Sequence, residues 1–299
     1  MERLSGFVKP PFANYDVVVY FGGGLFAVPF IYRYLLQPFG LNVPRFSVPM
    51  GDGFLAETVA VLTTLFVIYI LGHMLAYVGS QFIEKFVDRI FGKISSAIIA
   101  SSKSNPATRD EHIRALIFDR VSKIKEERAV IPSLTRFAPH LIMSPVYLAI
   151  FGLGFFGYYD SRVPEGVLRQ AEAKFGKLGL EGCEISLSSK WYKALEYFVI
   201  NNNPSATVRM YNYLVIGGLF RTIALVLLLS AWAQTYYILH FAFDNEWMLQ
   251  PLMGNSAPGM GLLELVLTVV TYIFSLFSYL KFQRRYAEEA IFAFVFQPE

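Results

Sequence analysis

Apolar positions in this chain gather into runs much longer than a globular core needs. Val17 to Leu36, Phe54 to Phe82, Tyr213 to Phe241 and Met260 to Leu280 each supply the roughly 20 residues that let a helix cross about 30 Å of hydrocarbon, so each predicts a transmembrane helix. A fifth run, Phe137 to Tyr159, holds Pro139, Pro145, Gly152 and Gly154, and whether it crosses decides the topology. Between the second and third runs the pattern is helical of another kind. Ser104-Asn105-Pro106 interrupts the chain, and Ile113, Leu116, Ile117, Val121 and Ile124 then recur at helical spacing among charged residues. Gly176 to Gly182 and Asn201-Asn202-Asn203-Pro204 are loop signals, and Pro204 or Ser205 starts a long helix running into the third span.

Composition supports the membrane class: 55% of the 299 residues are apolar and only 16% charged, against about 25% charged in ordinary soluble domains. Charge placement then orients the spans, because cytoplasmic loops carry the excess of Lys and Arg. Lys85, Arg89, Lys93, Lys103, Arg109, Arg114, Arg120, Lys123, Lys125, Arg128 and Arg136 follow the second run, and Arg162, Arg169, Lys174, Lys177, Lys190, Lys193 and Arg209 precede the third. The connection from Ala242 to Gly259 has neither Lys nor Arg and carries Asp244 and Glu246. A fifth crossing would invert these signs, so 137–159 belongs to the cytoplasmic part, as a buried helix or one lying on the membrane.

The expected fold is an all-α membrane protein with four transmembrane helices in two hairpins flanking a mainly helical cytoplasmic domain. The hairpins are residues 1–82 and 212–299, the latter ending in a cytoplasmic tail; the domain is 83–211. Both termini are expected on the cytoplasmic side. The first run lacks a small-residue cleavage site, so it reads as a retained helix.

Catalytic chemistry finds no support. Cys183 is alone, the histidines His73, His112, His140 and His240 are scattered, and no nucleophile elbow, zinc-protease pair or phosphate loop occurs. No enzyme, metal or cofactor is expected.

Polar residues inside the spans are more informative. Glu264, Thr268, Thr271, Ser275 and Ser278 fall at spacings of four, three, four and three on the fourth span, one stripe down one helix face. Several copies around a wet path would line it with these hydroxyls and place a ring of Glu264 at its outer mouth; helix packing is the competing use of small polar residues. Glu57, Asp244 and Glu246, near Asp52, make that mouth acidic and attractive to cations, with Arg33 and Arg45 opposing. Pairing of Glu57 with Arg33 is the structural alternative. On the second span Ala60, Thr64, Gly72, Ala76 and Ser80 form a close-packing face interrupted by Ile68, and Gly22-Gly23-Gly24 on the first marks packing or a bend. Arg221 and His73, in the inner parts of the third and second spans, face one another or a polar gap, or Arg221 snorkels.

Between Ile83 and Met210 there are 18 Lys and Arg against 13 Asp and Glu, an excess of 18 − 13 = 5. Arg120, Lys123, Lys125 and Arg128 cluster as candidate contacts for a nucleotide, short DNA or anionic lipid, a helix face against the inner leaflet being the alternative.

Leu71-Gly72-His73 with Ile83-Glu84-Lys85, Ser161-Arg162-Val163-Pro164, Asn202-Asn203-Pro204 with Arg209-Met210-Tyr211-Asn212-Tyr213, and Gln283-Arg284-Arg285-Tyr286 resemble phrases of a group of bacterial inner-membrane proteins. In size and layout the chain resembles the membrane effectors of Hailong-type anti-phage defence. That resemblance implies a homo-oligomeric ion channel, such as a tetramer, held shut by DNA oligomers that a partner nucleotidyltransferase makes and opened during infection. No site residue carries over from it. The alternative is a non-conducting membrane scaffold recruiting a cytoplasmic partner.

Overall fold

The computed structural model describes residues 15–36, 54–91, 144–145, 163–177, 189–243 and 258–296; 98% of them are helical and none lies in a strand. Four helices are long and apolar enough to cross a membrane: Asp16–Leu36, Glu57–Asp88, Pro204–Leu239 and Gly261–Phe296. They coincide with the four apolar runs. All but two residues of the fifth run lie outside the described residues, as do Arg120, Lys123, Lys125, Arg128, Asp244 and Glu246.

In chain order, α1 is a composite of π-helical Asp16–Phe21, α-helical Gly22–Ile31 and π-helical Tyr32–Leu36. Then follow α2 (Phe54–Gly79), continued by a π-helical Ser80–Glu84 into α3 (Lys85–Phe91), α4 (Glu165–Lys177), α5 (Ser189–Asn202), α6 (Pro204–Phe243) and α7 (Pro258–Phe296). The chain forms two compact units, one drawn from Met1–Gln81 and Gly218–Leu276, the other from Phe82–Gly217 and Phe277–Glu299. Helices α6 and α7 contribute to both.

The first unit is built around α6. Two-thirds (67%) of its most apolar stretch is buried against 11% for α2, so α6 is the centre and α2 the flank. Ala224 to Leu228 are buried without a break, the signature of a helix surrounded on all sides. Glycines bring α1 onto both neighbours. A Cβ on Gly24 would overlap the Ile68 carbonyl, and one on Gly72 would overlap the Tyr20 carbonyl. On the α6 side, a Cβ on Gly23 would come within 2.8 Å of Thr222 Cγ2, and one on Gly218 within 3.0 Å of Tyr15 Oη. Backbones approach this closely only where side chains are absent, so the triplet Gly22-Gly23-Gly24 serves packing. The small-residue face on α2 is used in part: Ile68, Gly72 and Ala76 are buried, whereas Thr64 is exposed. Thr58, Thr63 and Thr64 donate to the carbonyls four residues back at 2.7–2.8 Å, which spares each hydroxyl a partner in lipid.

Excess helix length generates the second unit. The candidate spans on α6 and α7 are 36 residues each, roughly 54 Å at 1.5 Å per residue, about 24 Å more than hydrocarbon requires. In this unit the first turns of α6 and the last turns of α7 pack with α4 and α5 around Leu168, Phe175, Leu195, Val199, Ile291 and Phe294. Helix α4 buries Leu168, Ala171 and Phe175, at spacings of three and four, and turns its charges outward. A single residue joins α5 to α6: Asn203 Oδ1 accepts from the Ala206 amide at 3.1 Å and the Ser205 hydroxyl at 2.9 Å, capping α6 ahead of Pro204. Arg209 Nε bonds Glu289 Oε1 at 2.8 Å, and Tyr286 donates its hydroxyl to Glu196. The stretch from Lys281 to Phe296, expected as a tail, is thus core-forming helix.

Two measurements follow. Gly72→Ala must push two backbones apart and is expected to destabilise the purified protein by about 1–3 kcal/mol, whereas Gly166→Ala, in open space on α4, should stabilise by up to about 1 kcal/mol; comparing their thermal unfolding checks both. Tyr192 is buried and its hydroxyl has no hydrogen-bond partner among the described residues. Burial first, then the Glu196 carboxylate and Tyr286, push its pKa well above 10.0. The folded state therefore favours the neutral phenol, a contribution present below pH 10.0 and lost as pH rises above it. Tyr192→Phe should cost nothing at neutral pH and blunt the alkaline loss in a pH series of unfolding curves.

Candidate functional site

Three spans meet in a polar cluster at the Arg33 end of α1. Arg33 and Tyr34 lie in its terminal π-helical segment, Gln234 and Tyr237 share a face of α6 at a spacing of three, and Glu264 and Thr268 share a face of α7 at a spacing of four. Arg33 Nη2 donates to Glu264 Oε2 at 2.8 Å and Tyr34 Oη donates to Glu264 Oε1 at 2.6 Å, so each carboxylate oxygen has a partner. The Arg33 guanidinium carbon lies 5.6 Å from the centre of the Tyr34 ring, within cation–π range. Gln234 Nε2 donates to Tyr34 Oη at 2.7 Å and to Thr268 Oγ1 at 3.0 Å. Tyr237 Oη donates to the Tyr34 carbonyl at 3.1 Å.

A gradient of burial runs through this network. The Arg33 and Glu264 side chains are 52% and 36% exposed, so their pairing contributes little beyond about 1 kcal/mol. Thr268 and Gln234 are buried, and Gln234 Oε1 has no hydrogen-bond partner among the described residues. An amide oxygen left so costs about 1–3 kcal/mol. The two donations from Nε2 hold the amide in place despite that cost.

The structure distributes the predicted stripe over different surroundings. At about 100° per residue the five positions fan over roughly 40° to either side of Glu264. Thr268 and Ser275 fall on the edge shared with buried Tyr272, Leu276 and Tyr279, while Thr271 falls on the edge shared with exposed Leu267, Val270 and Phe274. Ser278 is half-buried. The stripe therefore follows the seam between the packed and outward faces of α7. Thr271 and Ser275 each donate to the carbonyl four residues back at 2.8 Å. Glu57 is exposed on α2, and Arg33 is bonded to Glu264 rather than to Glu57.

Tyr34, Gln234 and Tyr237 are cluster members absent from the sequence-based set. Gln234 carried the missed signal, since a side-chain amide within an apolar span needs a partner on a neighbouring helix. Elsewhere in the first unit, Tyr20 packs against His73 and Tyr69 with ring centroids 4.3 and 6.0 Å apart. Arg221 runs alongside Gly79 and reaches toward the Ala76 carbonyl at 3.5 Å, so it follows the α2 backbone.

No family model, curated protein or solved structure matches this chain.

Tyr34→Phe deletes the donor to Glu264 and one of the two acceptors of the Gln234 amide, at an expected cost of about 1–3 kcal/mol in unfolding. Tyr197→Phe, at an exposed position on α5, should change stability by less than about 0.5 kcal/mol. Equal losses for the two would sink the structural role assigned to Tyr34.

Proposed function

We propose that the protein is an oligomeric, cation-conducting channel of a bacterial inner membrane, with four spans in two hairpins and both termini in the cytoplasm. The observation that carries this reading is the seam. One edge of the α7 hydroxyl stripe packs within the chain while Thr271 remains on its surface among apolar residues, the arrangement a lining helix needs if copies in a ring turn that edge toward a shared path. Thr271 and Ser278 then replace part of an ion's hydration, and Glu264 raises the cation concentration at the outer mouth together with Glu57, Asp244 and Glu246. In a liposome flux or depolarisation assay, Thr271→Leu should reduce conduction at least about tenfold and Glu264→Ala should shift selectivity away from cations. Wild-type flux and selectivity in both variants would remove α7 from the path.

Gating belongs to the part between the hairpins. As the membrane effector of an anti-phage system of the Hailong type, the channel is held shut by short DNA bound at Arg120, Lys123, Lys125 and Arg128 and made by a partner nucleotidyltransferase. Each neutralised phosphate contact should reduce the salt dependence of binding by about 0.7 in logarithmic slope. Absence of binding to oligonucleotides at low salt is the result that discards this gate.

One observation favours a second reading, a non-conducting scaffold: the Glu264 carboxylate is taken up by Arg33 and Tyr34 within the same chain. A detergent-solubilised monomer without flux supports the scaffold, and a symmetric ring with flux supports the channel.

A further inference from the structure

Gln234 Oε1 is the unexplained atom of the polar cluster. Its residue is 4% exposed, its amide is fixed in the cluster by bonds to Tyr34 Oη and Thr268 Oγ1, and the oxygen has no hydrogen-bond partner among the described residues. The other side-chain oxygens of the cluster are the Tyr34 phenol and the Thr268 hydroxyl, both of which accept from Gln234 Nε2, and the Glu264 carboxylate. Together they offer three neutral oxygens and one negative charge. Hard cations take such ligands, and a divalent ion would call for more charge than one carboxylate supplies. The charge on Glu264 is met by Arg33, whose guanidinium is half exposed and rests against the Tyr34 ring. Long cationic side chains at a span end swing readily to the interface.

We infer that Glu264, Tyr34, Gln234 and Thr268 form a binding site for a monovalent metal cation in which the Arg33 guanidinium is a tethered, displaceable occupant. When Arg33 swings away, a Na⁺ or K⁺ ion neutralises Glu264 and supplies the positive partner that Gln234 Oε1 lacks. When Arg33 returns, the ion is expelled. This deepens the channel reading and depends on it for its use, since an ion held at Glu264 is one captured at the entrance of the path. Occupancy itself needs only one copy of the chain, because all five residues come from it.

Thermal unfolding of the purified protein in NaCl, KCl or N-methyl-D-glucamine chloride at equal ionic strength tests the site, since a ligand at free concentration L that binds only the folded state stabilises it by RT ln(1 + L/Kd) and so raises Tm once its concentration exceeds Kd. Na⁺ or K⁺ should raise Tm relative to the bulky organic cation. Arg33→Gln should show the same rise at a cation concentration at least about tenfold lower than wild type, having lost its charge-assisted competitor. Arg33→Gln combined with Glu264→Gln should show no cation-specific rise. A response of Arg33→Gln at the wild-type concentration, or a persisting response in the double variant, overturns the proposal. Should Arg33→Gln fail to fold, Gln234→Leu keeps the ion pair and deletes Oε1; it should need more cation than wild type, and an unchanged response overturns the proposal equally. The channel reading is judged apart from this. Flux without cation-specific stabilisation defeats the site alone, and stabilisation without flux defeats the channel alone.

Discussion

Backbone contact between α1 and α2 at Gly24 and Gly72 governs the position of everything that follows on α1. With no Cβ at either residue, each glycine rests against a carbonyl of the other helix, and no sliding or rotation of α1 preserves that fit. Gly23 meets Thr222 on the neighbouring face, so α1 is located against two helices at once. Arg33 and Tyr34 lie nine and ten residues beyond Gly24, about 15 Å along the axis. Their encounter with Glu264 is therefore an outcome of glycine packing more than of attraction between charges. Coulomb energy between half-exposed groups is too weak to position a helix, whereas a clash of a methyl group with a carbonyl is not.

Much of the architecture was legible because it follows from one solvent property. Hydrocarbon offers no hydrogen bonds, so spans must be helices of sufficient length, and apolar runs mark them. The start of α6 at Pro204 was equally legible, since Asn203 and Pro204 are local signals for a helix start. The destination of 281–296 was not. Its alternation of Ala, Ile and Phe with Arg and Glu is what any amphipathic helix shows, and the partners of its apolar face come from α4, α5 and the first turns of α6, all distant in sequence.

The polar cluster illustrates the same boundary between local and distant information. Spacing along α7 identified Glu264 and Thr268, because periodicity is a property of one helix. It could not reveal that Thr268 turns inward and Thr271 outward, which depends on where α6 lies. Nor could it choose between Glu57 and Glu264 as the partner of Arg33, two carboxylates at comparable depth on different helices. Gln234 announced a need for partners, but its partners stand 200 residues before it and 34 after it.

Those separations have a meaning in time. Arg33 leaves the ribosome 231 residues ahead of Glu264, which at about 5–20 residues per second is roughly 10–50 seconds of synthesis. The glycine crossing of α1 on α2 can form within the first part of that interval, since both helices have by then emerged. Arg33 has no acidic partner on α7 until that helix is made, and Gln234 until then has Tyr34 but not Thr268 to bond. Completion of the cluster thus registers that α7 has joined α1 and α6, and a nascent or truncated chain ending before Glu264 carries an arginine without that carboxylate and an amide with one of its two acceptors.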